Sequence, residues 1–67
     1  MIDQNTVRKR LAKIAVDAYD PEKAHSEEDA LYHDLLLAIA TGVCDDPAGC
    51  ATEALKSRDI DFPRWCA

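Results

Sequence analysis

Apolar side chains recur at helical intervals near the start of the chain, from Val7 to Ala18. Successive apolar positions are one, three or four residues apart, which places them on one face of an amphipathic helix. Either Asp3 or Asn5 can accept the first free amide hydrogens as the N-cap. The apolar face of this first predicted helix consists of Val7, Leu11, Ile14, Ala15 and Ala18.

The longest apolar stretch, residues 30–40, predicts a second helix at the centre of the domain. Pro21 disfavours helical geometry at the residue before it, so residues 19–25 are expected to form a connection. Ser26 is the expected N-cap, and the helix dipole favours the acidic residues 27–29 in the first turn. The apolar positions of this helix are Leu31, Tyr32, Leu35, Leu36, Ala38 and Ile39.

A third helix is predicted to begin at Asp46, because an aspartate cap followed by Pro47 is a specific start signal. Gly42, just before it, is well placed to end the second helix in a left-handed cap. The third helix is expected to continue to Ser57, and Gly49 within it indicates close packing or a frayed first turn. Its inward positions are expected to be Ala51, Ala54 and Leu55.

The last ten residues carry large apolar side chains that are expected to fold back over the helices, namely Ile60, Phe62 and Trp65. The sequence therefore predicts an all-α fold, a compact three-helix domain over residues 1–67 with an ordered aromatic C-terminal tail. The alanine- and leucine-rich composition also favours helices over strands. The expected core consists of Leu11, Ile14, Leu31, Leu35, Ile39, Leu55, Phe62 and Trp65.

Charge is distributed unevenly along a chain whose formal net charge is −5. Residues 1–18 carry four basic side chains against two carboxylates, whereas residues 19–67 carry four against eleven. The basic side chains of the first helix form a possible interaction face, made of Arg8, Lys9, Arg10 and Lys13. A solvated helix face with counter-charges nearby explains the same pattern and is the preferred interpretation; Lys13 and Asp17, one turn apart, can pair.

Three cysteines raise the question of a metal site or a disulfide. Zinc modules pair ligands two to four residues apart, whereas five residues separate Cys44 from Cys50, which argues against a site with Cys66 and His25 or His33. A Cys44–Cys50 disulfide is sterically possible, although a cytoplasmic protein would keep both thiols reduced. No local motif for nucleophilic catalysis is present, so we expect neither an enzyme nor a cofactor.

The C-terminal half resembles small helical proteins of actinobacteria and of the phages that infect them. The resemblance covers residues 28–67 and rests on the segment 32–40, the Asp46-Pro47 pair, residues 53–56 and above all the ending DIDFPRWCA. It transfers no activity and no functional residues. It implies a phage origin or a host-cytoplasm location, where small proteins often act by binding a host protein.

These features favour an accessory protein that acts by protein–protein interaction, with a host protein or a second copy of the chain as partner. The alternative is a small nucleic-acid-associated regulator that uses the basic first helix, or a zinc-stapled structural module. Net negative charge disfavours nucleic acid, and residues 42–46 form a connection longer than the usual helix-turn-helix turn. Neither a signal peptide nor an apolar run of about 18 residues is evident, so a cytoplasmic location without membrane contact is expected.

Overall fold

The computed structural model describes residues 1–64, which form three α-helices and a short 3₁₀ turn. The helices are α1 (Gln4–Val16), α2 (Pro21–Ala40) and α3 (Pro47–Leu55), and the 3₁₀ turn is Lys56–Asp59. The only β-pairing among these residues is a single parallel bridge between Ile2 and Cys44. The predicted all-α, three-helix fold is therefore confirmed. The predicted position of Trp65 lies outside the described residues.

Helix α1 begins after Asp3, one of the two N-caps that the sequence predicted. The carboxylate of Asp3 accepts hydrogen bonds from the Thr6 amide at 2.8 Å and from the Thr6 hydroxyl at 2.9 Å. The donated amide hydrogen is the main reason that the pKa of Asp3 lies below its ordinary value. The helix ends at Val16, two residues before the predicted end at Ala18.

Helix α2 begins at Pro21, so the predicted start at Ser26 is wrong. Asp20 is the cap, and its carboxylate accepts a hydrogen bond from the Lys23 amide at 3.4 Å. Pro21 takes the first helical position, where a missing N–H is harmless and the fixed φ suits the helix. Asp20-Pro21 is thus a start signal of the same kind as Asp46-Pro47, and Ser26 lies exposed within the helix.

The connection between α2 and α3 follows the sequence prediction. Gly42 has a φ of 76° and terminates α2, with its amide bonded to the Ile39 carbonyl at 3.2 Å. Asp46 caps α3 in a left-handed conformation, and its side chain accepts from the Gly49 amide at 3.2 Å. A Cβ at Gly49 would collide with the side chains of Gln4 and Asp46, so this glycine marks the predicted close packing.

Alanines and a cysteine occupy much of the core. Ile14, Leu31, Leu35 and Phe62 are buried as predicted, whereas Leu11 is only half-buried and packs against the core. The other members of the core are Val7, Ala24, Cys50 and Ala54.

Two predicted core positions are wrong, since Ile39 is 37% exposed and Leu55 is 64% exposed. The buried stripe of α2 reaches Ala38, and Ile39 is rotated by about 100° from that position. The same rotation separates Leu55 from the buried Ala54 in α3. Both errors come from assigning neighbouring positions of a helix to one face.

Candidate interaction surface

The predicted basic face of α1 is divided between two neighbouring helices. Arg8 pairs with Glu53 of α3, with an Nη2–Oε1 distance of 3.2 Å. Arg10 pairs with Asp34 of α2, with an Nη1–Oδ2 distance of 2.7 Å. Lys9 is positioned to interact electrostatically with Asp3. The predicted interaction residues therefore do not converge on one surface.

Lys13, the fourth predicted residue, joins α1 to α2 through a cluster of carboxylates. Its ammonium group bonds to Asp17, as the sequence predicted, and lies 3.4 Å from Glu27 Oε1. Asp17 is only 5% exposed and also lies 3.6 Å from the Lys23 ammonium. The contact with Lys13 is the main cause that lowers the pKa of Asp17, and the contact with Asp17 raises the pKa of Lys13.

Pairing within the chain leaves the surface acidic. Six of the eight basic side chains lie within 4.0 Å of a carboxylate oxygen of residues 1–64. Eight of the thirteen carboxylates have no lysine or arginine nitrogen within that distance among residues 1–64. Three of these cap helices, and the whole set is Asp3, Asp20, Glu22, Asp29, Asp45, Asp46, Asp59 and Asp61.

An open apolar groove of about 320 Å³ runs between α2 and α3. Leu36 of α2 and Leu55 of α3 stand at its edges and are 67% and 64% exposed. Helix α2 is apolar over most of its circumference, and α1 and the short α3 cover only part of that surface. The groove is the part that they leave uncovered. The residues that line this α2–α3 groove are Tyr32, Leu35, Leu36, Ala51, Ala54 and Leu55.

Tyr32 fixes one end of the α2–α3 groove. Its hydroxyl forms a hydrogen bond with the Ser57 hydroxyl and donates to the Ala54 carbonyl oxygen at 3.4 Å. The ring is thereby held between α2 and the end of α3 while its polar atom is satisfied. The remaining lining side chains are aliphatic, so the groove offers contact area and few polar partners.

A second cavity, of about 440 Å³, lies beside the N-terminal segment. It is lined by Met1, Leu37 and Val43, but the Arg10–Asp34 ion pair also forms part of its wall. A ligand there would have to cover or displace that pair, which costs desolvation energy. Although this cavity is larger, the α2–α3 groove is the better candidate for apolar docking.

Beside the Tyr32–Ser57 contact, the core is closed by Arg64, which contacts Glu28 of α2 one turn before Tyr32. The guanidinium donates two hydrogen bonds to the carboxylate, from Nε to Oε1 at 2.9 Å and from Nη2 to Oε2 at 2.8 Å. It also donates to the carbonyl oxygens of Ser57, Ile60 and Phe62. We call Glu28, Phe62 and Arg64 the tail anchor.

In the tail anchor, the hydrogen bonds from Arg64 outweigh the effect of burial on the Glu28 charge. The side chain of Glu28 is 5% exposed, and the arginine lies over the Phe62 ring with 3.9 Å between the guanidinium carbon and the ring centroid. The Arg64 guanidinium holds the pKa of Glu28 below its ordinary value, and the Glu28 carboxylate raises the pKa of Arg64. The sequence pattern predicted Glu28 in the first turn of α2 and gave no indication of this pair.

The cysteines and histidines do not assemble a metal site in the part of the chain that the structure describes. Cys44 and Cys50 are free thiols, and His33 is exposed. Within residues 1–64, no group of three histidine, cysteine, aspartate or glutamate side chains is arranged to hold a metal ion. Cys66, the third cysteine of the zinc site that the spacing argued against, lies outside this range.

Comparison with known proteins returned no relative, since no family model, curated protein or solved structure matches this chain. The resemblance to actinobacterial and phage proteins therefore stays a prediction. Among residues 1–64, none of the helices is sufficiently long and apolar to cross a membrane.

Proposed function

We propose that this protein is an accessory factor that works by binding another protein through the α2–α3 groove. The observation that carries the proposal is the exposure of Leu36 and Leu55 on either side of an aliphatic floor. Covering these side chains would contribute on the order of 1–2 kcal/mol each to a complex. Such a surface is typical of sites that receive one face of an amphipathic helix.

The partner segment we propose is an amphipathic helix with basic residues beside its apolar face. Asp29 precedes Tyr32 by one turn of α2, and Asp59 follows Leu55 by one turn. Because Tyr32 bonds to Ser57, both carboxylates belong to the same end of the α2–α3 groove. Neither has a lysine or arginine partner among residues 1–64, so a cation of the partner complements this end.

The location and origin of the partner follow from the sequence resemblance alone. We propose a host protein in the cytoplasm, as expected for a phage-encoded or host-cytoplasm chain. Self-association through the basic first helix has less support, because Arg8, Arg10 and Lys13 already hold carboxylates of their own chain. The same pairing weakens the nucleic-acid alternative, since phosphates would have to compete with those carboxylates.

Binding of a designed peptide tests the proposal. The probe is a labelled helical peptide of leucine and lysine with its leucines on one face, and the comparison peptide carries glutamate in place of lysine. We expect the leucine–lysine peptide to bind more tightly, and Leu36→Asp to weaken that binding at least tenfold. Leu37→Asp is the matched control, because Leu37 is also exposed on α2 but lines the other cavity.

Two results would contradict the proposed occupant. Equal binding of both peptides would show that the charge of the partner is not recognised. Equal weakening by Leu36→Asp and Leu37→Asp would show that the peptide does not bind in the α2–α3 groove. Light scattering distinguishes the remaining occupant, a second copy of the chain. A dimer that Leu36→Asp dissociates would assign the groove to self-association.

A further inference from the structure

Cys44 and Cys50 lie at the junction of three segments of the chain. Cys44 belongs to the stretch that pairs with the N-terminal segment, where the Ile2 amide donates to the Val43 carbonyl at 3.0 Å and the Asp45 amide donates to the Ile2 carbonyl at 2.8 Å. Cys50 is fully buried in the first half of α3. The two cysteines thus belong to different elements held in contact by the fold.

Both thiols donate to the same acceptor, the backbone carbonyl oxygen of Asp45. The distance from this oxygen is 3.1 Å to Cys50 Sγ and 3.8 Å to Cys44 Sγ. Two sulfur atoms that share one oxygen atom are close neighbours, and Cys44 is partly exposed in a loop outside the helices. A disulfide needs an S–S distance of about 2.05 Å, which side-chain rotation and a small loop movement would bring within reach.

We propose that Cys44 and Cys50 are a disulfide-forming pair that closes when the folded protein meets a low-molecular-weight disulfide such as oxidised glutathione. The thiolate of Cys44 attacks one sulfur of that disulfide and releases one small thiol. The thiolate of Cys50 then attacks Cys44 Sγ in the mixed disulfide and releases the second small thiol. Both cysteines are oxidised, the reagent is reduced, and the two cysteine protons end on the two released small thiols.

Accessibility sets the order of the two steps. Cys44 is the thiol that a dissolved reagent reaches first, since Cys50 is 0% exposed. Burial raises the pKa of the Cys50 thiol to about 11, and the neighbouring Cys44 adds to this effect. Cys50 is therefore a poor first nucleophile but is well placed to resolve the mixed disulfide.

Closure would fasten the start of α3 to the segment that pairs with the N-terminus. The ring formed by the bond encloses residues 45–49, which include the α3 cap Asp46. A short closed loop removes conformational entropy from the unfolded chain. By this argument the oxidised protein should melt on the order of 10 °C above the reduced protein.

Mass spectrometry of protein exposed to oxidised glutathione tests the pair in a Cys66→Ser background, which removes the third thiol. The expected product has lost two hydrogen atoms and carries no glutathione. A protease that cleaves before aspartate cuts at Asp45 and Asp46, so Cys44 and Cys50 should then appear in separate peptides joined by one disulfide.

Two control variants identify the roles of the thiols. Cys50→Ala should accumulate the mixed disulfide on Cys44, whereas Cys44→Ser should resist the reagent as long as it stays folded by circular dichroism. The proposal is overturned if the parent retains both thiols or holds a lasting mixed disulfide under conditions where unfolded chain oxidises. Equal melting temperatures for the oxidised and reduced parent would overturn the inference that the disulfide stabilises the fold.

Discussion

Two neighbouring stretches of α2, one around Glu28 and one around Leu36, differ in how completely the chain covers them. Toward the tail anchor, a buried carboxylate receives two hydrogen bonds from Arg64, and Phe62 is only 4% exposed. Toward the α2–α3 groove, Leu36 and Leu55 remain mostly exposed above a floor of alanines. One stretch therefore holds the fold together, and the other retains apolar area that can be buried in a complex.

Phe62→Ala should produce the largest loss of stability. Removing a buried phenylalanine costs about 3–5 kcal/mol, a large fraction of the stability of a small domain. Leu55→Ala is the matched control in the same half of the chain, and we expect it to cost less than about 1 kcal/mol because Leu55 is exposed. Urea unfolding at neutral pH measures both, and equal losses would contradict the division of α2 into a closed and an open stretch.

Arg64→Ala should cost somewhat less, on the order of 2–4 kcal/mol. The substitution leaves the buried Glu28 carboxylate without its main partner and removes donors from three backbone carbonyls. Arg58→Ala serves as the control because Arg58 is exposed on the nearby 3₁₀ turn. Unfolding curves that place the two variants within about 0.5 kcal/mol of each other would show that the tail anchor adds little.

Acidic pH should weaken the tail anchor. The pKa of Glu28 is below its ordinary value of 4.5, because the Arg64 guanidinium stabilises the carboxylate. The folded protein therefore gains stability from this group above pH 4.5 and loses that contribution as pH falls through the lowered pKa. Glu28→Gln should be less stable than the parent at pH 7, and the difference should shrink at pH 3 in urea titrations. A constant difference would contradict the assignment.

A smaller effect is expected from the cap that starts α2. Asp20→Ala should cost about 1 kcal/mol, because the aspartate side chain satisfies an amide at the helix start. Ser26→Ala should be close to neutral, since Ser26 is an exposed interior position of the helix. Thermal melts of the two variants compare the observed start with the start that the sequence predicted, and the reverse order would favour Ser26.

Local signals in the sequence were sufficient to predict a helix end where a single side chain determines the turn. Asp46-Pro47 and Gly42 predicted the start of α3 and the end of α2, because capping depends on neighbouring residues only. Asp20-Pro21 carries the same signal as Asp46-Pro47, but proline was interpreted as the end of the first helix. The error displaced the start of α2 by one and a half turns and hid the inward position of Glu28.

Long-range pairing could not be predicted in the same way. Glu28 and Arg64 are 36 residues apart, so nothing in their local patterns joins them. Glu28 does lie four residues after Ala24 and three before Leu31, which is a carboxylate on an apolar stripe, but its partner depends on the path of the tail. The sequence likewise shows the basic residues of α1, but it does not predict that their carboxylate partners lie on two different helices, α2 and α3.

The central claim is that the open stretch of α2 around Leu36 binds a partner and contributes little to the fold. Leu36→Asp tests it most directly when urea unfolding and leucine–lysine peptide binding are measured on the same preparation. The account predicts a free energy of unfolding within about 0.5 kcal/mol of the parent and peptide binding weakened at least tenfold. A strongly destabilised variant, or one that binds the peptide as tightly as the parent, would contradict it.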